Sequence, residues 1–317
     1  MSDAPGEPGS RGDSFLAVGV DVGGTKIAAG VVSFPRGRVE SIRVVPTRAE
    51  RGGDAVLADV LGLVKELAHP AGSSAGAAGA IGVGLCELVD RSGAVVSANC
   101  FDWTRAQVVE TLSRVAPATL EADVRVAALA EALFGFGRGL RCFLYTTIGT
   151  GISCSLVLDG KPYLGSRGLT GTLASAPIPC AGGAPLSTAP STLEELASGP
   201  GLVARWNRAS RGRAAHAEEL LAAAAAGDSL AVETVETGAE ALGAALGMLV
   251  GTLDPEAVIV GGGLGLSGGL FGARLEDSTR RHIWSPLQRG LPILRAATGT
   301  HAGVIGAAAA AWKQHCR

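Results

Sequence analysis

Residues 15–32 read FLAVGVDVGGTKIAAGVV. Two runs rich in β-branched residues flank Asp21-Val22-Gly23-Gly24-Thr25-Lys26. That is the pattern of a β-hairpin closed by a glycine turn. Residues 141–148 and 152–158, RCFLYTTI and ISCSLVL, repeat the pattern around Gly149-Thr150-Gly151. Further strand and helix signals follow each pair. The chain therefore reads as a duplication, two related α/β lobes with a cleft between them.

Outward from these turns, residues 36–47 supply a third strand. Residues 54–68 carry Val56, Val60, Leu61, Val64 and Leu67 at helical spacing. Residues 81–85 and 94–98 read as short strands on either side of a turn at 90–93, and residues 105–115 as an amphipathic helix. A helix over 124–134 follows. Asp159-Gly160 is a hairpin turn signal. Residues 165–191 are irregular, and a long helix covers 229–250. The strand 257–260 runs into Gly261-Gly262-Gly263. The strand 293–296 is entered through Pro292, where a strand tolerates proline. A closing helix covers 303–313. Residues 1–13 read as a loose polar tail, 14–122 as a first lobe and 123–302 as a second.

The 317 residues are 47% hydrophobic and 18% charged, with a net charge of −2. This balance points away from nucleic acid and anionic membranes as partners. No apolar stretch stands out as a membrane span. The six cysteines form no CxxC pair and read as reduced thiols, which places the protein in the cytoplasm.

Phosphoryl transfer requires a cradle for the polyphosphate, usually with a metal, an in-line acceptor, and a group that takes the acceptor's proton. Gly23, Gly24, Gly149 and Gly151 let a phosphate approach backbone N–H groups without a Cβ in the way. Thr25, Thr147, Thr150 and Lys26 add hydroxyls and a cation. Asp21 is placed to orient water on Mg2+. Each turn alone is as compatible with a purely structural hairpin, and neither is a GxxxxGK[ST] loop. Gly261, Gly262 and Gly263 offer a bare backbone for a flat purine, or a plain strand-to-helix turn. Asp123, just ahead of a helix, serves as N-cap, as general base, or as both.

In this order and spacing, DVGGTK, TIGTGIS, DPEAVIVGGGL and THAGVIGAAAAA resemble the two phosphate motifs, the adenosine motif and the closing helix of the ROK family (repressors, open reading frames, kinases). The resemblance covers roughly residues 15–312. It implies the α/β, actin-like (ribonuclease H-like) two-lobed ATPase fold with the closing segment 303–317 packing back on the first lobe, ATP with Mg2+ as donor, frequent homodimers and a sugar-like small molecule as acceptor. The family's catalytic E-N-D-A-N stands here as Glu121-Ala122-Asp123-Val124-Arg125, so the catalytic aspartate is matched by Asp123.

The acceptor side departs from the family. Its E-x-G-H falls on Thr172-Leu173-Ala174-Ser175. Its zinc motif falls within 180–192, where only Cys180 remains, and one thiol makes no structural zinc site. Its G-x-P-G-x-V-D becomes Gly84-Leu85-Cys86-Glu87-Leu88-Val89-Asp90. Candidate acceptor contacts are Glu194, which matches a family glutamate, with Arg125, Asn99, Asp102 and Glu87. The expectation is an ATP-dependent kinase for a hydroxyl of a sugar or a sugar-like cyclitol. The altered segments are similar to those of kinases that act on C7-cyclitols of the valiolone type, and a hexose or amino-sugar bound in another pattern is the alternative. A non-catalytic sugar sensor is the competing class, and a nucleotide-driven assembly protein a third.

Overall fold

The computed structural model describes residues 15–69, 77–176 and 192–316. The chain begins with β1 (Phe15–Val22), β2 (Lys26–Phe34) and β3 (Arg38–Pro46), followed by α1 (Gly53–Ala68) and β4 (Ala80–Leu85). Next come α2 (Arg105–Leu112), β5 (Ala118–Ala122) and α3 (Asp123–Phe134). The second series is β6 (Cys142–Ile148), β7 (Ile152–Leu158) and β8 (Lys161–Pro162), then α4 (Leu193–Ala197), α5 (Gly199–Ser210), α6 (Ala217–Ala225) and α7 (Ser229–Leu253). It closes with β9 (Ala257–Gly261), α8 (Gly263–Leu266), α9 (Gly269–His282), β10 (Ile293–Arg295) and α10 (Ala302–His315).

The duplication is explicit in the strand order. One five-stranded sheet runs β3-β2-β1-β4-β5 and the other β10-β9-β6-β7-β8. In each, the hairpin pairs antiparallel, while its first strand pairs parallel with a later strand on the other side. β1 and β6 are thus the switch strands. Ligands of open α/β sheets bind outside the carboxyl ends of the strands at such a point. Asp21 and Thr147 are the penultimate residues of β1 and β6, Cys86 follows β4, Asp123 follows β5 and Gly262 follows β9.

One face of the first sheet is covered by α1 and α2, through Val56, Val60, Val64, Leu67, Val108 and Leu112. The other face receives α10 at backbone contact. A Cβ at Gly19 would lie 1.9 Å from the Val304 carbonyl oxygen, and one at Gly82 would lie 1.7 Å from that of Ala307. Gly306 meets α3 in the same way, 1.7 Å from the Val126 carbonyl oxygen. The alanines of α10 are therefore fitted to a helix wedged between the first sheet and α3. α3 in turn lies against β6 and β7 of the second sheet, so the pair α3–α10 forms the seam between the two sheets. In the second half α7 packs along α9 with Leu242, Leu246 and Val250 fully buried. Among the described residues no helix is long and apolar enough to cross a membrane.

Two local expectations are corrected. Residues 94–98 form no strand beyond an isolated bridge of Val95 to Val89. Side-chain acceptors take the backbone N–H groups there. Asp90 Oδ1 receives Ser92 N and Ala94 N, and Glu87 receives Asn99 N, Cys100 N and Phe101 N. The helix expected over 105–115 ends at Leu112. Cys180 and the rest of the segment 177–191 lie outside the described residues.

Candidate functional site

The two hairpin turns are locked from behind. In the first, Gly23 N donates to Lys26 O at 3.0 Å. Fully buried Thr47 grips both sides of the turn, its N–H on Thr25 O at 3.0 Å and its hydroxyl on Gly23 O at 2.7 Å. In the second, Gly149 N donates to Gly151 O at 2.9 Å, and Gly199 N at the start of α5 donates to Gly149 O at 2.9 Å. Glu194, in the first turn of α4, accepts from Ile152 N at 2.8 Å.

Held this way, the turns meet. Thr25 Oγ1 and Thr150 Oγ1 lie 2.9 Å apart. They open onto a cavity of about 740 Å3 between the sheets. Asp21, Gly23, Gly24, Thr25, Lys26, Thr147, Gly149, Thr150 and Gly151 line it, with Gly262, Gly263, Asp123, Arg125, Asn99, Glu87 and Glu194.

Two carboxyl groups set the electrostatics. Asp123 is the first residue of α3, and Ala122 rather than Asp123 occupies the cap position. Burial pushes the Asp123 carboxyl up to about 7, helped by the charge of Asp21 and opposed by the N–H of Val124, which donates to Oδ1 at 2.6 Å. Burial likewise pushes Asp21 up to about 6 against the pull of Lys26. Gly303 in α10 leaves room for Asp21, because a Cβ there would stand 2.3 Å from its Oδ2. Carboxyl groups driven up by burial, and in Asp123 also by the Asp21 charge, are relieved by a cation, and with the hydroxyls of Thr25 and Thr150 in the same cavity wall the donor set is all oxygen. It therefore suits Mg2+, which prefers oxygen ligands and retains several waters.

Four of the expected contacts read differently in the structure. Arg125 is 4% exposed. Its guanidinium is engaged with Glu121 and with the carbonyl oxygens of Val89 and Gly168, so it ties two loops together from the cavity wall and is not held ready for a ligand. Glu87 is 2% exposed, and its two oxygens accept from the Ser97 hydroxyl and three backbone N–H groups. It organises the loop 97–101. Asp102 is exposed and is not part of the cavity wall. Gly261 faces Tyr145, whose hydroxyl oxygen would stand 2.2 Å from a Cβ, and only Gly262 and Gly263 reach the cavity. Gly262, at φ +80° and with the Ile148 carbonyl 2.4 Å from an added Cβ, has no room for a side chain.

Asn99 is exposed on the wall and Glu194 is half-buried there. Thr172, Ala174 and Ser175 line the same wall. Sequence reasoning did not single out Cys86, Cys100, Ser153, Tyr145 or Thr300 as wall residues. The start of the closing-helix motif was the available signal for Thr300, and the substitution of cysteine within the G-x-P-G-x-V-D segment was the signal for Cys86.

The comparisons with known proteins agree with this architecture. Residues 17–314 match the ROK family model. The chain is 31% identical to the N-acetylgalactosamine kinase of Shewanella sp. (strain ANA-3), over 92% of this chain and 94% of that one. It is 32% identical to the glucokinase of Streptomyces coelicolor, over 92% and 96%. Among solved structures, the ROK glucokinase of Streptomyces griseus in complex with glucose and AMPPNP superposes with a TM-score of 0.80 at 29% identity, over 94% of this chain and 99% of that one. The fold is the two-lobed, actin-like one of these kinases, and the chain belongs to the ROK family.

Proposed function

We propose that the protein is an ATP-dependent kinase that transfers the γ-phosphoryl group to a hydroxyl of a sugar or sugar-like molecule. One observation carries this reading, the 2.9 Å approach of Thr25 and Thr150 from two separate hairpins into the cavity that Asp123 also faces. A fold needs neither two glycine-cornered turns at one point nor a buried acid beside them. A phosphoryl transferase needs both.

In this reading the two turns hold the β- and γ-phosphates, and the bare backbone at Gly262 and Gly263 faces the adenosine. Asp21, with the threonine hydroxyls, would hold Mg2+ through its waters, and the bound ion would supply charge neutralisation at the phosphates. Asp123 takes the proton of the acceptor hydroxyl as its oxygen closes on the γ-phosphorus. A carboxyl near pH 7 is matched to that task. Glu194 and Asn99 hold the acceptor.

The finer reading concerns the acceptor. The wall carries Thr172, Ala174 and Ser175 where the family reads E-x-G-H, and Ala122 where it carries an asparagine. A site that has lost such partners discriminates strongly against the ligand that used them. This argues against an ordinary glucokinase. Because the altered segments resemble those of kinases acting on C7-cyclitols, the finer reading is a carbocyclic sugar mimic with an exocyclic hydroxymethyl group, with a hexose or amino-sugar bound in another pattern as the alternative. ADP release measured across hexoses, N-acetylhexosamines and C7-cyclitols tests both levels. Release stimulated by a cyclitol supports the finer reading, and stimulation by glucose alone replaces it. Binding of ATP without stimulation by any acceptor favours the sugar sensor.

A further inference from the structure

Two thiols stand in the cavity wall outside the chemistry above. Cys86 follows β4 and Cys100 lies in the loop before α2. Both line the cavity, and Cys86 Sγ, Cys100 Sγ and a Glu87 oxygen all lie within 4.8 Å of one another. The approach is built in. Glu87, the neighbour of Cys86 in the chain, accepts the N–H groups of Asn99, Cys100 and Phe101 at 2.8, 2.6 and 3.0 Å. One buried carboxylate thereby holds the loop so that the second sulfur faces the first. With the Ser97 hydroxyl these three N–H groups occupy Glu87, and two thiols alone fall short of the four ligands that zinc takes.

We propose that Cys86 and Cys100 are a thiol–disulfide switch in the acceptor wall, closed by peroxide and opened by a dithiol reductant. Cys100 is exposed and Cys86 is half-buried, so Cys100 is the attacking sulfur. The hydrogen bond from Cys86 favours the Cys100 thiolate, although burial and the carboxylates Glu87 and Glu194 act against it. The Cys100 thiolate attacks the peroxide, the O–O bond breaks, and the leaving hydroxide takes a proton to give water and a sulfenic acid. Cys86 then attacks that sulfur, and its own proton leaves with the hydroxyl as a second water. Two electrons pass from the sulfurs to the peroxide. An S–S bond of about 2.05 Å draws the loop toward β4. Cys100 Sγ lies 3.1 Å from the Cβ position of Gly24 in the first turn, so the movement is felt at the turn as well as at the acceptor wall. Loss of turnover rests on the kinase reading, whereas the bond itself does not.

The test exposes the full chain to hydrogen peroxide, alkylates the remaining thiols and maps the peptides by mass. The expected product is a Cys86–Cys100 disulfide that dithiothreitol reverses and that also forms in Cys142→Ser and Cys316→Ser chains. Acceptor-dependent turnover is expected to fall roughly 100-fold and return on reduction, since small misplacements in a cleft act on that scale. Recovery of both peptides alkylated, a mixed pairing with another cysteine, or a zinc ion bound by the two thiols would each overturn the proposal. So would a disulfide that leaves turnover unchanged. A chain inactive in both redox states contradicts the kinase reading, while the mass result still decides the disulfide.

Discussion

The hydroxyl oxygens of Thr25 and Thr150 lie 2.9 Å apart, although 125 positions separate them in the chain. Each sits at the tip of a hairpin from a different sheet, so the contact bridges the cleft at the end proposed to hold the phosphates. Removing either hydroxyl, as Thr25→Val or Thr150→Val, is expected to raise the KM for ATP by about tenfold, the scale of one hydrogen bond to a charged group. The double variant is expected to lose less than the product of the two, because residues in contact couple by about 0.5–3 kcal/mol. Steady-state kinetics on the four proteins of the cycle measure this, and strict additivity would separate the two turns.

The carboxyl of Asp123 gives a pH signature. Its folded pKa of about 7 stands above the ordinary 3.8, so the native state holds a proton that the unfolded chain has released. Stability therefore declines as the pH rises from about 4 to about 7 and is level above, at up to roughly 1.4 kcal/mol per unit of difference. The variant Asp123→Asn lacks this loss. Its thermal midpoint should match wild type near pH 4, overtake it toward pH 7 and keep a constant lead above. With Asp123 as the proposed general base, turnover depends on the ionised form, so kcat/KM of wild type should climb through the same interval to a plateau. A stability gap independent of pH would remove the perturbed carboxyl.

Glu194 lines the cavity and accepts from Ile152 N beside the second glycine turn, which places it between the proposed phosphate and acceptor sites. Two substitutions separate these roles. Glu194→Gln keeps an oxygen for Ile152 N and loses the charge, so the acceptor KM should rise while that of ATP stays near wild type. Glu194→Ala leaves the N–H unpaired, at a cost of about 1–3 kcal/mol, and should raise both. An acceptor KM unmoved in both variants would take Glu194 out of the site.

Arg125 occupies the position of a family asparagine, yet its guanidinium is bound to Glu121 and to the carbonyls of Val89 and Gly168. Arg125→Leu should lower stability by roughly 2–4 kcal/mol in chemical denaturation, because it strands a carboxylate and two carbonyl oxygens. Arg125→Lys should recover only part of this, since a point charge does not span three acceptors in a plane. An Arg125→Leu chain as stable as wild type, with only its acceptor KM changed, would restore Arg125 as a substrate contact.

Much of this was legible in the chain. The hairpins at 15–32 and 141–158 announce themselves by strand pattern and glycine turns, whereas the placement of β4 and β5 beside β1 comes from the fold. The carboxylate after β5 was readable because it sits where a strand hands over to a helix. Glu87, Arg125, Asp102 and Gly261 were not. A polar residue near a site looks the same in sequence whether its donors and acceptors face a ligand or the backbone. Only the fold shows that loop 97–101 folds back on Glu87, or that Gly261 is small because Tyr145 fills its space. The wedge of α10 against Gly19 and Gly82 was hidden for the same reason, since alanine-rich helices carry almost no directional signal.

The role of Asp123 in phosphoryl transfer is tested most directly by phosphorus NMR of the protein with MgATP and the panel of sugars and cyclitols. Wild type is predicted to convert γ-phosphate into a new phosphomonoester with at least one of them. Asp123→Asn is predicted to slow that conversion by about 100- to 10,000-fold while binding a non-hydrolysable ATP analogue as before. A wild-type protein that binds the nucleotide yet yields no phosphomonoester with any acceptor, or a variant that makes it at the wild-type rate, would contradict the account.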